Sequence, residues 1–200
     1  MQPPNPVNAD PKPVPGELEK AIGWNNAQAV AELLRRGADV NEKEPKWGRD
    51  MLILATDRGY VEIALLLIDA GADVNKVWDA GITPLMRAVI GGRIEMARLL
   101  IAHGANINAT SDRGWTAVRH AVNSVNTEIL RLLIGSGANV SIADNEGYTP
   151  QRIAELHNNA LMVQMLKEAP VRQQHDLAVK NQRGLINRAP WPKIIRGPQP

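Results

Sequence analysis

The side chains here with the widest chemical repertoire are four histidines, His103, His120, His157 and His175, in a chain with no cysteine. Catalysis would need them, or a serine, a lysine or a glycine loop, in a set pattern. Two histidines one helical turn apart around a glutamate would bind zinc, a Gly-x-x-x-x-Gly-Lys loop would cradle phosphate, and a Gly-x-Ser-x-Gly turn would expose a nucleophile. None of the three occurs. The histidines are scattered, so each reads as a surface or half-buried side chain rather than a ligand. The expectation is no enzyme, no metal and no cofactor. Without cysteine there is neither a disulfide nor a thiolate zinc site, and nothing that records a redox compartment.

The other chemistry on offer is recognition. The chain has five tryptophans and two tyrosines but no phenylalanine, so its aromatics are not chosen to fill a core. Tryptophan, tyrosine and arginine are the residues that dominate protein interfaces. What holds them is visible as an internal repeat. Gly37-Ala38-Asp39-Val40-Asn41 returns as Gly71-Ala72-Asp73-Val74-Asn75, as Gly104-Ala105-Asn106-Ile107-Asn108 and as Gly137-Ala138-Asn139-Val140-Ser141, at spacings of 34, 33 and 33. A second series, Gly48, Gly81, Gly114 and Gly147, keeps the same period, with Thr83-Pro84-Leu85, Thr116-Ala117-Val118 and Thr149-Pro150-Gln151 behind the last three.

Elementary rules turn this period into helices. Threonine caps a helix whose first turn accepts proline, so Thr83-Pro84 and Thr149-Pro150 each start one. A short first helix is followed by Gly59 or Gly92, then by Ile63, Leu66 and Leu67, or Met96, Leu99 and Leu100, at helical spacing. The glycine of Gly-Ala-Asp ends this second helix in a left-handed conformation. Glu62, Glu95 and Glu128 fall near its start, where the helix dipole favours negative charge. Val125 stands where Gly59 and Gly92 stand, and a β-branched residue resists positive φ, so that turn must differ or be strained. One such helix pair cannot bury its apolar face alone, so the units must stack, with polar caps at the two ends.

These motifs resemble the ankyrin family, most closely from Gly81 to Asn108. The motif's histidine is replaced by Ile53, Met86, Arg119 and Arg152, and its Thr-Pro by Asp50-Met51 in the second repeat. The resemblance implies an all-α solenoid of about five helix-turn-helix repeats joined by β-turn or hairpin loops, over about 16–41, 42–75, 76–108, 109–141 and 142–169. Residues 1–15 hold six prolines and read as an extended leader, and 170–200 as a basic tail with a short helix from Val171 to Lys180 before a run of prolines.

The resemblance further implies that partners are bound on a concave face, by the turn tips before Thr-Pro-Leu and the exposed end of the first helix. Carried over, the positions are Lys46, Trp47, Arg49, Asp57 and Arg58 in repeat two, and Asp79, Ala80, Ile82, Ile90 and Gly91 in repeat three. Repeat four supplies Asp112, Arg113, Trp115, Asn123 and Ser124; repeat five supplies Asn145, Glu146, Tyr148, Leu156 and His157. Trp78 lies beside this set and Trp24 in the matching part of repeat one. Trp47, Ile82, Trp115 and Tyr148 are then expected to form an aromatic and apolar ladder at about 10 Å steps. The alternative is that each tryptophan folds over its own turn as packing. Lys46, Arg49 and Arg58 at one end, with Asp112, Asp144 and Glu146 towards the other, give the groove a polarity.

The net charge of +2 is uneven, because 170–200 carry Arg172, Lys180, Arg183, Arg188, Lys193 and Arg196 against Asp176 alone. Six dispersed cations are weak evidence for nucleic acid. There is no signal-like start, and the longest aliphatic run, Ile63 to Ile68, is too short to span a bilayer. The expectation is a soluble, cytoplasmic, monomeric solenoid that binds a folded protein of unknown identity as an inhibitor, adaptor or immunity-type protein. The rival reading makes the tail the functional element, binding nucleic acid or acidic membrane.

Overall fold

The computed structural model describes residues 11–169. They form five pairs of short helices, each pair joined by a turn of two or three residues: α1 (Glu17–Gly23) with α2 (Ala27–Arg35), α3 (Met51–Arg58) with α4 (Val61–Asp69), α5 (Pro84–Ile90) with α6 (Ile94–Ala102), α7 (Ala117–Asn123) with α8 (Thr127–Gly135), and α9 (Pro150–Leu156) with α10 (160–169). The first helices pack on one another in the order α1, α3, α5, α7, α9, and α2, α4, α6 and α8 make a second row. One apolar core runs between the rows from Leu18 to Ala169. The fold is thus the helix-turn-helix solenoid the repeat spacing implies.

The repeat motif sets the helix ends. Thr83, Thr116 and Thr149 stand extended before α5, α7 and α9, and each hydroxyl accepts the backbone N–H three residues on, from Met86, Arg119 and Arg152 at 3.2, 3.2 and 3.3 Å. After the second helices, Gly71, Gly104 and Gly137 take φ of 95°, 85° and 87°, the left-handed stop that a side chain would resist. The asparagine that closes the motif reaches into the next repeat: Asn75 Oδ1 accepts from Asn106 N at 2.7 Å, and Asn108 Oδ1 from Asn139 N at 2.8 Å.

The turn between the two helices of each repeat passes through one left-handed residue: Asn25, Gly59, Gly92, Val125 and Asn158. Val125 keeps the common geometry with φ 53° rather than escaping it, so that turn is strained and does not differ. A left-handed β-branched residue costs about 1–2 kcal/mol, and its side chain is half exposed, so packing returns little of it. Val125→Asn, the residue two sister turns already use, is expected to raise stability by about 1 kcal/mol and the melting temperature by about 2–4 °C in thermal unfolding.

The stack closes with polar substitutions. Where α5 and α7 bury Leu85 and Val118, and Val89 and Val122, α9 carries Gln151 and Glu155. Gln151 Nε2 donates to Glu155 Oε1 at 2.9 Å, and that bond with the Arg152 guanidinium holds the Glu155 carboxyl below its usual range. At the other end, the backbone N–H of Gly16 donates to Glu42 Oε1 at 2.5 Å and Arg36 Nε to the Pro11 carbonyl at 3.1 Å. Residues 1–10 of the expected leader, and the whole expected tail of 170–200 with its short helix, lie outside the described residues.

Candidate functional site

Between repeats the chain makes hairpin turns whose ends are joined by a backbone hydrogen bond, Glu44 N to Arg49 O, Trp78 N to Ile82 O, Ser111 N to Trp115 O and Asp144 N to Tyr148 O, at 2.8 to 3.0 Å. The last three turns are themselves linked edge to edge, Asp112 N to Ala80 O at 3.0 Å and Asn145 N to Arg113 O at 3.1 Å. The link needs glycine. A Cβ on Gly81 or Gly114 would meet the Asp112 or Asn145 backbone nitrogen at 2.8 Å, whereas one on Gly48 meets nothing within 4 Å. The first hairpin is one residue longer and stands apart from this rail.

The bonded partners show that Arg49, not Trp47, is the counterpart of Ile82, Trp115 and Tyr148. The expected ladder of Trp47, Ile82, Trp115 and Tyr148 therefore has an arginine as its first rung, and Trp47 sits at the tip of its own turn. Arg49 is also not an open cation. Its Nε and Nη2 bond both oxygens of buried Glu44 at 2.8 and 3.0 Å, and its Nη1 bonds Asp57 Oδ2 at 3.1 Å. This bidentate grip holds the Glu44 carboxyl below its usual range and keeps Arg49 firmly charged. Asp57 Oδ1 then takes Arg87 at 2.6 Å from the next repeat. Arg87 lies 5.7 Å from the Trp78 ring.

A second cluster lies between repeats four and five. Arg119 Nε reaches buried Asp144 Oδ2 at 3.3 Å, and the guanidinium carbon lies 4.3 Å from the Trp115 ring centroid, with that of Arg113 at 5.9 Å. Asp144 Oδ1 accepts the N–H groups of Glu146 and Tyr148 at 3.1 and 2.9 Å, folding the last hairpin around itself. The His120 ring meets Trp115 edge-on at 5.2 Å, and its buried Nε2 has no partner. Burial first, and the Arg119 charge second, push the His120 pKa down to about 4, so the ring is neutral at pH 7.

The expected recognition residues divide accordingly. Trp24 and Trp47 are 78% and 61% exposed, with Lys46 Nζ 5.2 Å from the Trp47 ring. Trp78 and Trp115 are half-buried on arginines, and Ile82 is half-buried with them. Ile90, Tyr148 and Leu156 expose apolar surface. Arg58, Asp79, Asp112, Arg113, Asn123, Glu146 and His157 are exposed, although Arg58 Nη1 also donates to the Gly23 carbonyl at 3.0 Å. The expected polarity is corrected at both ends, since Arg49 and Asp144 are consumed by internal pairs. What remains outward is Lys46 and Arg58 in repeat two, with Asp79, Asp112 and Glu146 beside the one cation Arg113 among the expected residues of the later tips. Sequence reading missed Glu44, Arg87 and His120 as supports; for Arg87 and His120 the available signal was a polar residue where Leu54 and Ile153 stand in sister repeats, and for Glu44 there was none.

Among the described residues no His, Asp and Glu group is arranged to hold a metal ion, and no helix is long and apolar enough to cross a membrane. Stacked helix pairs with edge-linked hairpins define a helical-repeat protein. The chain belongs to the ankyrin-repeat family: a model of ankyrin repeats in three copies matches residues 18–111, and a single ankyrin repeat matches 113–145. It is 38% identical over 73 residues to the 2-5A-dependent ribonuclease of Mus musculus and 40% identical over 65 residues to the Neurogenic locus Notch protein of Drosophila melanogaster. Those matches cover 36% and 32% of this chain but 10% and 2% of the relatives. Ankyrin repeats generally mediate protein–protein interaction and are typically non-catalytic modules.

Proposed function

We propose that this solenoid binds a folded protein through the concave face made by its hairpin tips and first helices, as an inhibitor, an adaptor or an immunity-type protein. The observation that carries the reading is the exposure of Trp24 and Trp47, the two most exposed aromatic side chains among the described residues, in a solenoid whose core is built from aliphatic side chains. An indole left in water is costly area that a partner can cover, and such residues are the usual anchors of an interface. Trp78 and Trp115 support the reading differently, because arginines already fix their rings and little ordering entropy is lost on binding. The outward charges, cationic in repeat two and at the later tips three carboxylates to the one cation Arg113, fit a partner surface of the opposite polarity.

Trp115 is a poor site for a test, since its loss disturbs Arg119 and His120. Trp24→Ala with Trp47→Ala removes exposed surface and is expected to leave the melting temperature unchanged. Capture of the partner from the native source should fall at least about tenfold in affinity, the effect of losing one ordinary hot spot. Undiminished capture by the folded double variant refutes the binding face.

A further inference from the structure

The last repeat is capped on one side only. Gln151 and Glu155 close the α9 half of the terminal face, but beside them a groove of about 710 Å³ runs along α10, lined by Asn158, Asn159, Ala160, Val163, Gln164 and Lys167 among others. Leu161 is 53% exposed on the same helical stripe as Gln164 and Glu168. Earlier in the solenoid the second-row helices α2, α4 and α6 each have a neighbour from the next repeat on this side. Among the described residues no sixth repeat follows to do this for α10.

We propose that the occupant is the chain's own residues 188–196, with Trp191, Ile194 and Ile195 seated in the groove and Lys193 and Arg196 towards Glu155 and Glu168. Three observations select this segment over a separate protein. Lys167 and Glu168 line the groove, and the undescribed stretch begins at position 170, so the segment is tethered beside its site. From Ala169 to Trp191 is 22 residues, a reach of up to roughly 70 Å, and such a tether supplies an effective concentration on the order of millimolar. The charges also match. Between Leu177 and Pro200 there are five cations and no acid, while Glu155, which also takes Arg152, and Glu168 line the groove with Lys167. A tryptophan flanked by aliphatic and basic residues is suited to such a groove, of a volume that takes several large side chains.

Hydrogen exchange of the backbone amides in 158–168, read by mass spectrometry on the full-length chain, tests this. The triple variant Trp191→Ser, Ile194→Ser, Ile195→Ser lies outside the solenoid and leaves its core intact. It should exchange about tenfold faster in 158–168, with no change across 51–135. A synthetic peptide of residues 186–200 should restore protection to that variant, and Glu168→Lys in the parent chain should weaken it. Equal exchange in parent and triple variant overturns the proposal. So does protection that rises with protein concentration, which would make a second copy the occupant. Neither outcome touches the hairpin face, whose test reads partner affinity.

Discussion

Acidification from pH 7 to pH 4 is expected to remove about 3 kcal/mol of stability through His120 alone, and replacing it by leucine should abolish that loss. The folded-state pKa is depressed from 6.5 to about 4, by burial first and by the Arg119 charge second. Below 6.5 the unfolded chain therefore binds the proton more readily than the folded one, so falling pH favours unfolding. The contribution is whole above about 6.5, shrinks as pH falls, and is spent near 4. At pH 4.5 the same relation gives a loss of about 2.5 kcal/mol. The ring cannot escape by turning outward, because the residue is 8% exposed and wedged against Trp115. Leucine is the informative replacement: Leu54 holds the matching place in α3 and Ile153 in α9, both buried. Urea unfolding of both proteins at pH 7 and 4.5 isolates the effect, since Glu44 and Glu155, with carboxyls below their usual range, titrate alike in the two. Parallel pH dependence in parent and His120→Leu would show that the ring is hydrated in solution.

The fold was readable because the repeat states it four times over. A glycine every 33 or 34 residues, a capping threonine and a helical apolar stripe depend on local geometry, and local geometry follows from residue type. Val125 was readable for the same reason: Gly59 and Gly92 hold its place in repeats two and three, and the strain follows from the β-branch. The recognition face was less so. Setting Trp47 beside Ile82 breaks the glycine series, in which Gly48, Gly81, Gly114 and Gly147 put Arg49 opposite Ile82, Trp115 and Tyr148, and the bond from Glu44 N to Arg49 O keeps that frame. Which charges face water was not readable at all. Arg49 and Asp144 look like surface groups in a sequence, yet Arg49 is spent on Glu44 of its own hairpin and on Asp57 of α3, and Asp144 on Arg119 of α7, 25 residues away. Long-range pairing of this kind leaves no periodic mark.

Asp144→Ala is expected to cost about 3–5 kcal/mol, the range for stranding one member of a buried ion pair. The aspartate holds the Arg119 guanidinium on one oxygen and the turn amides of Glu146 and Tyr148 on the other, and both it and Arg119 are under a tenth exposed. Alanine leaves a buried cation unpaired and two amides without their acceptor. The solenoid also contains its own control. One repeat earlier, the position of Arg119 is Met86 and that of Asp144 is Ser111, whose hydroxyl accepts the N–H of Trp115 at 3.2 Å. The fold therefore tolerates an apolar residue facing a serine at this junction. Arg119→Met with Asp144→Ser rebuilds that pair, removing both charges and keeping a turn acceptor, and should fall within about 1 kcal/mol of the parent. A double-mutant cycle by chemical denaturation then shows strong coupling, with the single aspartate variants far less stable than the double. Simple additivity would mean the two charges do not meet. Because Trp115 lies 4.3 Å from the Arg119 guanidinium, the rebuilt junction should also free the indole. Partner affinity should then fall although stability does not, separating the arginine's part in presenting Trp115 from its part in holding the repeats together.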